Sequence, residues 1–245
     1  MRAAARLMAA LAHAAAGWCT ITFRFPQLSQ AQRDECVTLW SREMLRVLGI
    51  ELRLHGNPPA HGPVLLVANH ISWLDILVMH AARHCRFVAK AQVRRWPLVG
   101  TLATGGGTLY IERESRRDAM RVVHHMAQAL RAGDILAIFP EGTTSDGRAL
   151  LPFHANLVQA AISADAPAQP VALSFIDRAT GAPSFAASYV GDETLVGSLW
   201  RTLAARPMTA IVTFGKPQRS GGLGRRAWAA QLRGDVAALR TPLER

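Results

Sequence analysis

The stretch Val64-Leu65-Leu66-Val67-Ala68 constrains this chain more than any other. It is a short, unbroken apolar run, and such a run reads as a strand covered on both faces. It stops at Asn69-His70, so a histidine stands at the carboxyl edge of a buried strand. Similar runs recur at 86–89, 108–111, 135–139, 171–175 and 210–214, with helical patterns between them at 76–83, 97–103, 116–131 and 156–164 and a last one near 227–240. In 116–131, Ala119, Met120, Val123, Ala127 and Leu130 mark the expected apolar face, and Gly133 the stop. Alternation of this kind predicts an α/β fold with a largely parallel central sheet flanked by helices. The loops at 57–62 and 180–183 carry turn residues, and there is no internal repeat or low-complexity linker. A length of 245 residues suits one large α/β domain.

The first fifty residues have a different character. From Leu7 to Phe23 there is no formal charge; Arg2 and Arg6 precede the run and Arg24 follows it. A membrane-spanning helix needs about 20 apolar residues. This run is shorter, rich in Ala, and contains His13. The expectation is an interfacial or shallowly inserted helix, with a full span and a buried core helix as the alternatives; no signal-peptide cleavage site stands out. A second helix is expected over 29–48, where Leu39, Trp40, Met44, Leu45 and Leu48 fall at helical spacing. Residues 1–50 thus read as an N-terminal, membrane-associated helical hairpin, and residues 51–245 as the α/β domain.

The net charge of +11 comes from 28 Lys+Arg against 17 Asp+Glu, in a chain that is half hydrophobic with a mean hydropathy of +0.11. A basic, Arg-rich surface suits a polyanion such as an anionic leaflet, nucleic acid, or an acidic carrier with a phosphorylated substrate. A genome rich in Arg and Ala codons would give the same excess. The basic residues are scattered, no nucleic-acid motif is present, and only 7% of residues are aromatic, so nucleic acid is not an expected partner. Cys19, Cys36 and Cys85 are odd in number and form no CxxC pair. That argues against a disulfide framework and a zinc ribbon and fits a reducing compartment. The absence of a Gly-x-Ser-x-Gly elbow and of a Walker A sequence disfavours a serine hydrolase and a P-loop NTPase.

Three segments carry chemistry. In the first, Asp75 follows His70 by five residues. A carboxylate on one ring nitrogen of a histidine fixes its tautomer, and the other nitrogen can then accept a proton from a hydroxyl. Five positions along one continuous helix would separate the side chains, so the pair requires a turn, with Asp75 in the first turn of the helix and Ser72 as its N-cap. Ser72-x-x-Asp75 is also a capping-box variant, which gives Asp75 a purely structural alternative. The second segment is Phe139-Pro140-Glu141-Gly142-Thr143-Thr144-Ser145-Asp146-Gly147, again at a strand end. Its glycines and hydroxyls suit an anion or polyol cradle, or a plain turn with Asx chemistry; Glu141 would accept from a substrate hydroxyl or lock the loop. The third is Gly105-Gly106-Gly107-Thr108-Leu109-Tyr110-Ile111-Glu112-Arg113. There Arg113 stands at a strand end, placed either to clamp a phosphate or as part of a solvated charge run. His80 and His84 lie one helical turn apart without HExxH register, which reads as core or surface histidines rather than a metal pair, and no metal site is expected.

Taken in order, Asn69-His70-x4-Asp75, the glycine-led strand ending Ile111-Glu112-Arg113, and Phe139-Pro140-Glu141-Gly142-Thr143 resemble the glycerolipid acyltransferase family, which includes the 1-acylglycerol-3-phosphate acyltransferases. Gln169-Pro170-Val171-Ala172-Leu173 resembles a fourth block, so the likeness runs from about Val64 to Leu173. The resemblance implies O-acyl transfer from acyl-CoA or acyl carrier protein to the free hydroxyl of 1-acyl-sn-glycerol-3-phosphate, giving phosphatidic acid for phospholipid biosynthesis. His70 would be the base and Asp75 its orienting partner. Asn69, Lys90, Arg113, Glu141, Gly142, Thr143 and Thr144 would form the acceptor site, Arg113 holding the phosphate. Lys90 and Trp96-Pro97-Leu98-Val99-Gly100 would lie near the acyl tunnel. A thioester is already activated, so no metal or cofactor is implied beyond the co-substrate. Expected partners are the lysolipid, the thioester donor and an anionic membrane surface, placing the protein at the inner (cytoplasmic) membrane with its site facing the cytoplasm. His154-Ala155-Asn156 after Pro152-Phe153 departs from the family pattern. With Thr144-Ser145-Asp146-Gly147 it resembles members that acylate lyso-ornithine lipid, which leaves that acceptor as an alternative. A non-catalytic basic membrane-binding protein is the alternative outside the enzyme class.

Overall fold

The computed structural model describes residues 2–111 and 116–240. Seven strands form one sheet: β1 (Ile50–His55), β2 (Val64–Ala68), β3 (Arg86–Lys90), β4 (Leu109–Ile111), β5 (Ile135–Ile138), β6 (Ala168–Asp177) and β7 (Met208–Phe214). Their spatial order is β1-β7-β6-β2-β5-β3-β4. β6, β2, β5, β3 and β4 run parallel; β7 pairs antiparallel with β6 and parallel with β1. The sheet is therefore largely parallel, as expected, with β1 and β7 reversed against the other five.

β2 is the central strand, and all five of its residues are buried. Leu66 and Ala68 enter one core, and Leu65 and Val67 the other. The first core packs beneath α1 (Arg2–Cys19), α2 (Gln30–Leu48), α3 (Leu74–Ala82) and α7 (Leu195–Ala204), with α4 (Val99–Gly105) at its edge. The opposite core packs beneath α5 (Arg116–Arg131), α6 (Gln159–Ser163) and α8 (Arg225–Arg240). Burial on both faces is the reason β2 reads as a continuous apolar run.

The N-terminal helices pack on the domain and on each other. Ser29 caps α2 in a capping box with Gln32, and Gly49 closes the helix in the left-handed region at φ 78°. His13 and Trp40 clasp α1 to α2: His13 Nε2 lies 2.9 Å from the Trp40 carbonyl, Trp40 Nε1 donates to the His13 carbonyl at 3.0 Å, and the rings stack. A Cβ at Gly17 would stand 2.5 Å from Trp40 Nε1, so only glycine admits this approach. Among the described residues no helix is long and apolar enough to cross a membrane.

Two expectations need correction. The face of α5 that packs inward is Val122, Met126, Ala127, Ala129 and Leu130, with Val123 partly buried against it. Val123, Ala127 and Leu130 are thus on the packed side as expected, and Met120 is not, at 68% exposed. Ser72 stands one residue before the cap position instead of occupying it. Its Oγ accepts from Leu74 N–H at 3.2 Å, while Trp73 occupies the cap position without a side-chain bond. Trp228 is fully buried at the centre of the α8 core. Trp228→Ala is expected to cost about 3–5 kcal/mol of stability, seen as a lower urea midpoint with an unchanged slope.

Candidate active site

β2 ends at Ala68, and the chain turns before α3 begins at Leu74. Asn69 makes the first attachment. It is 1% exposed; its Nδ2 donates to the Leu173 carbonyl at 3.0 Å, and its Oδ1 accepts from Leu173 N–H at 2.7 Å. Both ends of the amide are thus spent on β6, extending the β2–β6 pairing by one residue past the strand.

His70 is held at four points. Its backbone N–H donates to Glu141 Oε1 at 2.7 Å, and its carbonyl accepts from Ser145 N–H at 2.9 Å and Ser145 Oγ at 3.2 Å. The ring stacks on Phe139 with centroids 4.0 Å apart and an interplanar angle of 8°. Nδ1 lies 2.8 Å from Asp75 Oδ2. A carboxylate only accepts, so the proton between them sits on Nδ1 and Nε2 carries the free lone pair. The side chain is 18% exposed and lines the main cavity.

Asp75 is fully buried in the first turn of α3. The same Oδ2 that faces His70 also accepts from Ile71 N–H at 2.6 Å and Ser72 N–H at 2.9 Å. The dyad and the helix-capping role are therefore one arrangement: the carboxylate that closes the turn is the carboxylate that orients the imidazole. Oδ1 has no partner among the described residues.

Glu141 locks its loop. Oε1 takes the His70 N–H, and Oε2 takes Leu151 N–H at 2.8 Å. Burial raises its pKa, against the two backbone donors and the nearby charges of His70 and Arg240. Thr144 Oγ1 donates to the Tyr189 carbonyl, so this hydroxyl is engaged within the fold. Gly142 and Lys90 line the cavity, and Thr143 is exposed on the loop. Arg113 lies outside the described residues. The ends of β2, β3 and β5 thus bring His70, Lys90 and Gly142 to one cavity at the carboxyl edge of the sheet, where open α/β folds bind ligands.

That cavity holds about 740 Å³, within the roughly 300–1,000 Å³ of small-molecule sites. It runs between the N-terminal helices and the domain. Leu11, Trp40 and Met44 close one side, Leu102 and Leu199 another. Trp96, Leu98 and Val99 of the expected tunnel segment line it too. Sequence reasoning missed the contributions of α7 and of α3, although Trp73, Ile76, Leu77 and His80 form a visible i, i+3, i+4, i+7 stripe.

This geometry can take a proton from a hydroxyl beside an apolar cavity. A family model described as Acyltransferase matches residues 49–174. The chain belongs to this acyltransferase family. The acyltransferase is 37% identical over 225 residues to a protein of Pseudomonas aeruginosa named lyso-ornithine lipid O-acyltransferase, covering 91% of this chain and 86% of that one. It is 38% identical over 186 residues to a 1-acyl-sn-glycerol-3-phosphate acyltransferase of Neisseria meningitidis, covering 74% and 71%. The crystal structure of a 1-acyl-sn-glycerophosphate acyltransferase from Thermotoga maritima matches the whole of both chains with a TM-score of 0.66 at 18% identity, a likeness of fold. The acyltransferase is thus an enzyme, not a non-catalytic membrane-binding protein.

Among the described residues no group of three or more His, Cys, Asp or Glu side chains is placed to hold a metal ion, and His80 and His84 lie side by side. The two rings stack at 5.2 Å, and His84 Nε2 reaches Asp34 at 3.2 Å. Burial and the neighbouring His84 push His80 from 6.5 down to about 3, against a weaker pull from Asp34. The unfolded chain gains a proton at this position below pH 6.5 and the folded chain does not. Its contribution to stability is complete above that pH and is lost as pH falls toward 3, at about 1.4 kcal/mol per pH unit. His80→Phe is expected to remove this share of the acid sensitivity in urea titrations across that range; an unchanged slope would show that His80 is protonated in the native state.

Proposed function

We propose that this acyltransferase moves a fatty acyl group from the thioester of acyl-CoA or acyl carrier protein to the free hydroxyl of a lysolipid. The observation that carries the reading is His70, with Nδ1 tied to a buried carboxylate and its free nitrogen facing a large apolar cavity. The acceptor hydroxyl gives its proton to Nε2 as its oxygen attacks the thioester carbonyl. Asp75 stabilises the imidazolium that results. The tetrahedral intermediate collapses with loss of the thiolate, which takes the proton back from His70, leaving an ester and a free thiol. The protein supplies no nucleophile, because the substrate hydroxyl is one.

For the acceptor, lyso-ornithine lipid has the support of the alignment that spans 91% of this chain and of the Thr144-Ser145-Asp146-Gly147 segment. The second reading, 1-acyl-sn-glycerol-3-phosphate, is supported by the Neisseria relative and by the sequence segment Ile111-Glu112-Arg113, whose arginine suits a phosphate. Residues 1–50 would rest on the anionic, cytoplasmic face of the inner membrane through Met8, Leu11, Trp18 and Phe23, all exposed. Residues 51–245 would then be the acyltransferase domain.

His70→Ala should retain the fold and lose transfer by about 10²–10⁴-fold; unchanged turnover removes the base from the mechanism. Asp75→Asn should lower kcat by orders of magnitude with little change in acceptor KM. Purified protein assayed with both donors against a panel of lysolipids identifies the head group. Arg113→Ala should raise the KM of a phosphate-bearing acceptor and leave that of the thioester unchanged.

A further inference from the structure

The cavity wall is mainly aliphatic and aromatic, yet His80 stands in it. His80 is only 6% exposed. Its ring is fixed by the stack with His84 and by an edge contact with Phe87 at 5.1 Å. No hydrogen bond holds it among the described residues, and Nδ1 is sealed and unpaired. The nitrogen left to meet the cavity is Nε2. It faces Gly106, a lining residue where an added Cβ would stand 3.1 Å away. A neutral imidazole offers one donor and one acceptor, and a buried polar atom left without a partner is costly.

Its depth is also defined. His80 follows Asp75 by five residues on α3, roughly 7.5 Å along the helix axis at 1.5 Å per residue. A line of ring contacts joins it to the base: His70 to Phe139, Phe139 to Phe87 at 5.6 Å, and Phe87 to His80. His70 and His80 both line the cavity, so an acyl chain with its carbonyl at His70 and its tail in the cavity would meet His80 beyond the carbonyl.

We propose that His80 Nε2 is a subsite for an uncharged oxygen substituent, foremost a hydroxyl, carried in the middle of the acyl chain. This rests on reading the cavity as the acyl channel. A saturated chain leaves the imidazole unpaired, whereas a hydroxylated one pairs the imidazole and its own hydroxyl together. A site that holds a buried polar group discriminates against the analogue lacking its partner.

The test is a competition between acyl-CoA thioesters of one chain length: saturated, or hydroxylated next to the carbonyl, at mid-chain, or at the terminus. The native enzyme is expected to favour the mid-chain hydroxyl about five- to tenfold over the saturated chain in kcat/KM, as one net hydrogen bond allows. His80→Phe, which keeps a ring in the stack, should lose that preference: its kcat/KM ratio for the mid-chain hydroxyl over the saturated chain should fall to about one, whatever its absolute rate. Gly106→Ala, which places a methyl group against Nε2 with His80 retained, should lose it too. A native enzyme indifferent to every hydroxyl position overturns the subsite, whatever the variants do. So does an undiminished preference in His80→Phe. Failure of the native enzyme to transfer any chain would instead overturn the acyl-transfer reading beneath it.

Discussion

A single oxygen atom organises the functional end of this molecule. Asp75 Oδ2 accepts from His70 Nδ1 and from two successive backbone N–H groups, all within 2.9 Å, in a position without solvent. Those backbone donors are the ones that the turn into α3 leaves without helical partners. Satisfying them with a carboxylate places negative charge where an imidazolium needs it. Local folding and site assembly are therefore the same event, and the imidazole cannot be oriented without the helix being started correctly.

The remaining restraints on His70 come from distant parts of the chain. Glu141 and Ser145 hold its backbone from the β5 loop. That loop is braced in turn by α8, where Arg233 donates to the carbonyls of Leu151 at 3.0 Å and Leu150 at 2.7 Å. Arg240 donates to the Gly147 carbonyl. Charge-assisted bonds to backbone carbonyls are directional and stronger than neutral ones. They tie the opposite face of the sheet to the loop that carries Gly142, so the site is supported from both layers.

The cavity depends on a different kind of contact. Its walls belong to α1, α2, α3, α4 and α7, and the N-terminal pair is joined by the reciprocal His13–Trp40 clasp. His13, which interrupts an otherwise apolar segment, has a packing role there. The first fifty residues thus complete the cavity as well as presenting exposed apolar side chains.

The sequence by itself determined six of the seven strands, the sheet edge and the pairing of His70 with Asp75 as a candidate dyad. Continuous apolar runs are legible because burial on both faces leaves no alternation to interpret, and all six runs became strands. β1 was not recognised: its IELRLH pattern belongs to an edge strand, and its inner face shows only once β7 is beside it. α7 was missed for a related reason: its buried residues are Ser198, Thr202 and Leu203, two of them polar, while Leu195 and Leu199 are half-buried and line the cavity. The sequence left Glu141 open between a substrate hydroxyl and a loop lock, and the family resemblance put Asn69 in the acceptor site, because a polar side chain at a strand end can face a ligand or the fold. Tertiary structure engaged both within the fold, by bringing Leu173 to Asn69 and the His70 N–H to Glu141 from segments far along the chain. His80 was decided in the same way: the sequence read it as a core or surface histidine, and only the packing of the helices around it made it part of the cavity wall.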